Sequence, residues 1–96
     1  MRVTVSDIED RIKGEEYIFL KDLYPNQPDL HRFTICILTL DNGYVEFGQS
    51  SCVDIKNFDP EEGKKWARKQ AFDKLWAPIG FELRTKLVGL GEESKT

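Results

Sequence analysis

The sequence predicts an α+β domain: a small antiparallel sheet built on a β-hairpin (about 32–40 and 44–53), packed against a helix at about 60–76, with a short N-terminal helix. Three observations carry this. Two runs rich in β-branched and aromatic residues flank Asp41-Asn42-Gly43, and Asn-Gly is a favoured centre for a tight hairpin turn. Asp59-Pro60-Glu61-Glu62 reads as a helix start, with an N-cap, a proline at the first helical position and acids at the positive dipole end. Gly63, Ala67, Ala71 and Leu75 then recur every four residues, a stripe that lets a helix lie close to a sheet. At 96 residues and 11.1 kDa the chain is one domain. It is read as residues 1–90 with a frayed polar tail over 91–96.

Each element follows from local chemistry. Ser6 is read as an N-cap, with Glu9 three residues on completing a capping box. Ile8 and Ile12 share a face and Gly14 supplies a stop, so a helix is expected over about 6–13. Tyr17-Ile18-Phe19-Leu20 is a strand or a loop anchored in the core. Residues 21–30, holding Pro25, Asn26 and Pro28, form a surface connection. With Asn42 and Gly43 as the two loop residues, Leu40 faces Val45 and Leu38 faces Phe47. Leu38, Leu40, Val45 and Phe47 then share the face that meets the helices, and Ile35, Ile37, Thr39, Tyr44 and Glu46 share the other. The same register sets Cys36 opposite Gln49 and Cys52 opposite Phe33, on different faces, so both thiols are expected to be free. Ala77-Pro78 ends the long helix. Trp76 is expected to cap the core with Phe81, and residues 79–88 read as a short helix or a returning strand.

Composition excludes several classes. Hydrophobic residues at 40% and charged residues at 32% are globular proportions, not those of a disordered chain. The longest apolar run, Ile35-Cys36-Ile37-Leu38, falls far short of the ~20 residues of a membrane helix. Asp7, Glu9 and Asp10 come too early for a secretion signal, and two cysteines are too few for a disulfide scaffold, so the cytoplasm is the expected compartment. A net charge of -3 argues against a general nucleic-acid binder. His31 is the single histidine, which excludes a His-pair metal site. No Gly-rich phosphate loop and no nucleophile–base pair stands out, so no enzyme, metal or cofactor is expected.

Three surfaces remain. Ser50, Ser51, Cys52 and Asp54 make a polar strand end leading to the helix start at 60, an arrangement able to hold an anion or small ligand. Lys64-Lys65-Trp66-Ala67-Arg68-Lys69 interleaves cations with an aromatic, as nucleic-acid binders do; a solvated basic face with Trp66 at the core rim is the favoured reading. Ile35, Ile37 and Tyr44, with Lys65, Trp66 and Lys69, form the expected partner surface. The second hairpin face needs cover from residues 15–20, from 79–88 or from another subunit, with cover from within the chain favoured. A chain this short buries a small core, so a homodimer or higher homo-oligomer is also expected.

The series Leu40–Gly43, Gly48–Asp54, Asn57–Gly63, Lys74-Leu75-Trp76 and Gly80-Phe81 resembles a family of short accessory proteins of tailed phages and prophages, typified by gene products of phages N-four and Sf-six. The resemblance spans roughly 33–87; Lys65-Trp66 and Ala77-Pro78-Ile79 depart from the pattern. It implies expression in the cytoplasm of an infected bacterial host and no activity to carry over. The leading expectation is a non-enzymatic accessory protein that binds and modulates a host protein, in host takeover or counter-defence. The alternative is an oligomeric small-ligand or nucleotide binder (a sponge) using Ser50, Ser51, Cys52 and Asp54. Nucleic-acid binding through Lys64–Lys69 ranks third, and no membrane association is expected.

Overall fold

A computed structural model describes residues 2–89; the predicted tail at 91–96 lies outside the described residues. Helix α1 runs Val5–Arg11. Its N-cap is Thr4, not Ser6: the Thr4 hydroxyl accepts from the Asp7 amide and the Asp7 carboxylate accepts from the Thr4 amide. This capping box has an acid at N3 just as Ser6–Glu9 would, but starts two residues earlier. The helix accordingly ends at Arg11, before Gly14. Strand β1, Ile12–Phe19, follows at once, with Gly14 packed against Thr39 at an irregularity in the ladder. The run Tyr17–Phe19 is therefore strand. A one-turn helix α2, Leu20–Leu23, and a 3-10 turn at Pro28–Leu30 make the connection.

Strands β2, Phe33–Leu40, and β3, Val45–Ser51, form the hairpin, and the sheet order is β1-β2-β3, all antiparallel. The hairpin register differs from the expected one by one residue. Ile37 faces Phe47, Cys36 faces Gly48 and Thr34 faces Ser50. The loop holds three residues, Asp41-Asn42-Gly43: the Gly43 amide bonds to the Leu40 carbonyl and the Leu40 amide to the Tyr44 carbonyl. Within the loop only Gly43 has a positive φ, at 88°, so the turn is not the two-residue form that needs positive φ at both centres but the three-residue form with one left-handed residue. Asp41 is committed elsewhere. Its amide bonds to the Arg11 carbonyl and its carboxylate accepts from Arg11 Nε.

One extra loop residue exchanges the faces of β3. Leu38 and Leu40 are buried as expected, beside Thr34 and Cys36. Val45 and Phe47 are instead exposed, on the opposite face with Ile35 and Ile37. Tyr44 and Glu46 fall by parity on the covered side, beyond the helix. Cys52 lies past the end of β3, its amide bonded to the Arg32 carbonyl. It is four ladder steps from the Cys36–Gly48 pair, about 13 Å at strand spacing. Both thiols are free as expected, but distance along the ladder is the reason, not opposite faces.

Helix α3, Pro60–Asp73, starts at the predicted Asp59 cap with Pro60 first. Its stripe lies on the sheet: Ala67, Ala71 and Leu75 are fully buried with Ile8, Leu38 and Leu40. The helix expected over about 60–76 forms but ends sooner, and a second helix follows it. Helix α3 closes at Asp73, and α4 runs Trp76–Val88. Pro78 sits in the first turn of α4, where a missing amide breaks no helical bond, so it opens a helix and does not end one. Residues 79–88 are therefore helix. Trp76 meets Phe72 edge-on, with centroids 6.2 Å apart, and Phe81 points to solvent, so the expected Trp76–Phe81 cap does not form. Helix α4 has one buried residue, Ile79. Its second tie is Arg11, whose Nη1 and Nη2 donate to the two Glu82 oxygens at 2.8 and 3.4 Å.

Neither β1 nor α4 covers the outer sheet face. Ile18, Ile35, Ile37, Val45 and Phe47 line it, and among the described residues it stays open.

Candidate functional site

At one end of the hairpin the chain builds a cleft of about 200 Å³. Arg32 enters from the residue before β2, Ser50, Ser51 and Cys52 from the end of β3, Asn57, Phe58 and Asp59 from the approach to α3, and Glu62, Gly63 and Trp66 from its first turns. Small residues make the space. Ser50 Oγ donates to the Gly63 carbonyl at 2.7 Å and pins the strand end to the helix. A Cβ at Gly63 would lie 2.5 Å from Thr34 Oγ1, so only glycine lets α3 approach there. Asp54 is not in the lining. It caps the 3-10 turn at Ile55–Asn57, accepting from the Lys56 amide at 3.0 Å and Asn57 Nδ2 at 3.3 Å, and so shapes the loop that carries Asn57 and Phe58 inward.

The polar groups are unevenly satisfied. Arg32 Nε is buried with no hydrogen-bond partner among the described residues, a costly state, and the Arg32 side chain lines the cleft. Trp66 is half exposed, and its indole N–H donates to Glu62 at 3.0 Å while Lys65 Nζ lies 5.2 Å from the ring centroid. These contacts hold the indole at the cleft mouth. Asp59 accepts from the Glu61 amide at 3.0 Å. The cleft thus presents one cation, two carboxylates, hydroxyls and an aromatic plane. Of these, sequence reasoning reached Ser50, Ser51, Cys52 and Trp66. It missed Arg32, whose signal was its place just before β2, opposite Cys52 in the correct register.

The basic run is less available than its sequence implies. Arg68 donates to both Glu9 oxygens at 3.0 and 2.9 Å and to Glu15 at 2.8 Å. Lys69 pairs with Asp73 at 2.8 Å, and Lys64 lies over the Tyr17 and Phe19 rings. Hydrogen bonds to Glu9, then to Glu15, hold the Arg68 guanidinium more firmly protonated than usual. Burial raises the Glu15 carboxyl, but hydrogen bonds from Tyr17 and Arg68 outweigh it and the net shift is downward. Burial likewise pushes the Cys36 thiol up. A phosphate backbone would have to displace these carboxylates to be bound.

The expected partner surface is divided. Ile35 and Ile37 lie on the open sheet face, Tyr44 stands at the hairpin end with its hydroxyl on Glu46, and Lys65, Trp66 and Lys69 belong to α3. A larger cleft of about 450 Å³ lies between α1 and α4, but the charges of Arg11 and Glu82 in it are spent on each other. Among the described residues no three His, Cys, Asp or Glu side chains are grouped to hold a metal, and no helix is long and apolar enough to cross a membrane.

Fold and cleft define a small α+β domain with one sheet face packed, the other open, and a polar, aromatic-lipped pocket at the hairpin end. The chain belongs to the Phage protein (N4 Gp49/phage Sf6 gene 66) family, whose model matches residues 3–87. The match extends the expected resemblance through α1 and β1. No curated protein and no solved structure matches the chain significantly.

Proposed function

We propose that this phage protein binds a small phosphorylated aromatic ligand, of the nucleoside phosphate class, and acts in the infected bacterial cell by holding it without chemical conversion. The observation that supports this most is a cleft lined by the Arg32 cation and lipped by the Trp66 indole. The Arg32 guanidinium pairs with a phosphate oxygen. A base stacks on the indole. Amino or hydroxyl donors on the base and sugar meet Asp59 and Glu62. Ligand sites usually offer about 300–1,000 Å³, so this cleft takes one end of the ligand. This reading moves ahead of host-protein docking because the residues expected to make one docking surface lie on three separate parts of the molecule.

Thermal denaturation with adenosine 5′-monophosphate, adenosine and inorganic phosphate as separate arms tests it. The melting temperature should rise with nucleotide concentration, by the equivalent of about 2.7 kcal/mol at a hundredfold excess over Kd. The rise should vanish in Arg32→Gln and fall in Trp66→Ala. No shift with any nucleotide at millimolar concentration, while a bacterial protein copurifies with the chain, returns the lead to host-protein modulation.

A further inference from the structure

We propose that the open sheet face is covered in solution by α4 of a second copy of this chain, in a reciprocal dimer. Two observations meet here. The first is the sheet. Ile18, Ile35, Ile37, Val45 and Phe47 form an apolar face that no helix longer than one turn covers among the described residues, and Phe47 is 53% exposed. Glu16 is the one charged side chain that the register places among them.

The second is α4, which has two sides. Ile79, Glu82, Leu83 and Lys86 share the side turned to α1. At 100° per residue, Ala77, Gly80, Phe81, Arg84, Leu87 and Val88 share the other. There Phe81 is 74% exposed and Leu87 and Val88 at least half so, and a Cβ at Gly80 would meet nothing within 4 Å. A chain with 57 Å and 18 Å as its longest and shortest extents leaves both surfaces to water. It cannot join them itself, because α3 occupies the opposite sheet face and Arg11 holds α4 against α1.

Size and charge select the occupant. Three strands about 4.8 Å apart give a face about 10–15 Å across, the width of one helix. Thirteen helical residues span about 20 Å, close to the length of these strands. Arg84 lies in the middle of the exposed α4 stripe and has no ion-pair partner among the described residues, nor has Glu16. Docking α4 on the partner's sheet brings these two opposite charges together twice, by the two-fold symmetry of such a pair. Antiparallel pairing of α4 with its own copy would set Arg84 against Arg84 of the partner subunit. Face-to-face stacking of the sheets would leave both α4 stripes wet.

Sedimentation equilibrium of the full chain tests this, with circular dichroism to confirm folding. The wild type should be a dimer. Phe47→Asp and Phe81→Asp, both at exposed positions, should each yield monomer. Glu16→Arg and Arg84→Glu should each weaken dimerisation at least about tenfold, and the double reversal should restore it. A monomeric wild type overturns the proposal. So does loss confined to Phe47→Asp, which signals sheet-to-sheet packing, or to Phe81→Asp, which signals helix-to-helix packing, and so does a double reversal that fails to restore the dimer.

Discussion

Neighbouring residues of β2 live in different surroundings. Thr34, Cys36, Leu38 and Leu40 are 0–2% exposed beneath α3, while Ile35 and Ile37, one position away, lie on the open face. Both sets are β-branched or apolar, so hydrophobicity does not separate them. What separates them is the fit of α3 to one face. That face meets α3 at Gly48, where a Cβ would fall inside contact distance of the Ala67 carbonyl oxygen and the Ala71 nitrogen. The opposite face presents Val45 and Phe47 in the corresponding rows, both exposed. Close approach, set by a glycine and two alanines, therefore decides which side of this sheet becomes core.

The contrast predicts graded effects. Gly48→Ala should cost most, at least about 3 kcal/mol, because the clash is with helix backbone, which has no rotamer to escape into. Urea unfolding reads this directly, and a neutral result would mean α3 is not seated on β3. Leu38→Ala should cost about 2–5 kcal/mol by opening a cavity in the core. Ile37→Ala, measured at low protein concentration, should cost under about 1 kcal/mol, since the residue is only partly buried. Equal costs would erase the distinction between the faces.

The smallest effect concerns the tie that keeps α4 beside α1. Hydrogen bonding from Arg11 holds the Glu82 carboxyl below its ordinary range. A carboxyl depressed in the fold stabilises it above the unfolded pKa, about 4.3, and the contribution is lost as pH falls through the lower folded value. Glu82→Gln should remove it at neutral pH, by about 0.2–1 kcal/mol for a pair this exposed, and flatten the acid limb of the stability curve. An unchanged acid limb would show that the pair does not form.

Much of this was legible in the residues because the signals were local. Asp59-Pro60 started α3 as read, and the Gly63–Leu75 stripe lies on the sheet as read. The hairpin was legible too, but not its register. Asn-Gly suits both a two-residue and a three-residue loop, and the choice rests on Asp41, which Arg11 engages from thirty residues away. Pro78 misled for a related reason: proline is a stop inside a helix and a start in its first turn, and only the α3 end at Asp73 tells which. In the cleft, the strand-end serines and Trp66 were visible as polar and aromatic punctuation. Arg32 was not, since its place opposite Cys52 depends on that same register.

The three-residue loop is thus the claim on which both faces and the cleft depend, and nuclear Overhauser contacts between α-protons test it most directly. Directly opposed residues that do not exchange hydrogen bonds bring their Cα atoms to about 4.5 Å. Strong α-proton contacts are predicted between Ile37 and Phe47 and between Ile35 and Gln49, the facing pairs of this ladder. A contact between Leu38 and Phe47 in their place would contradict the account.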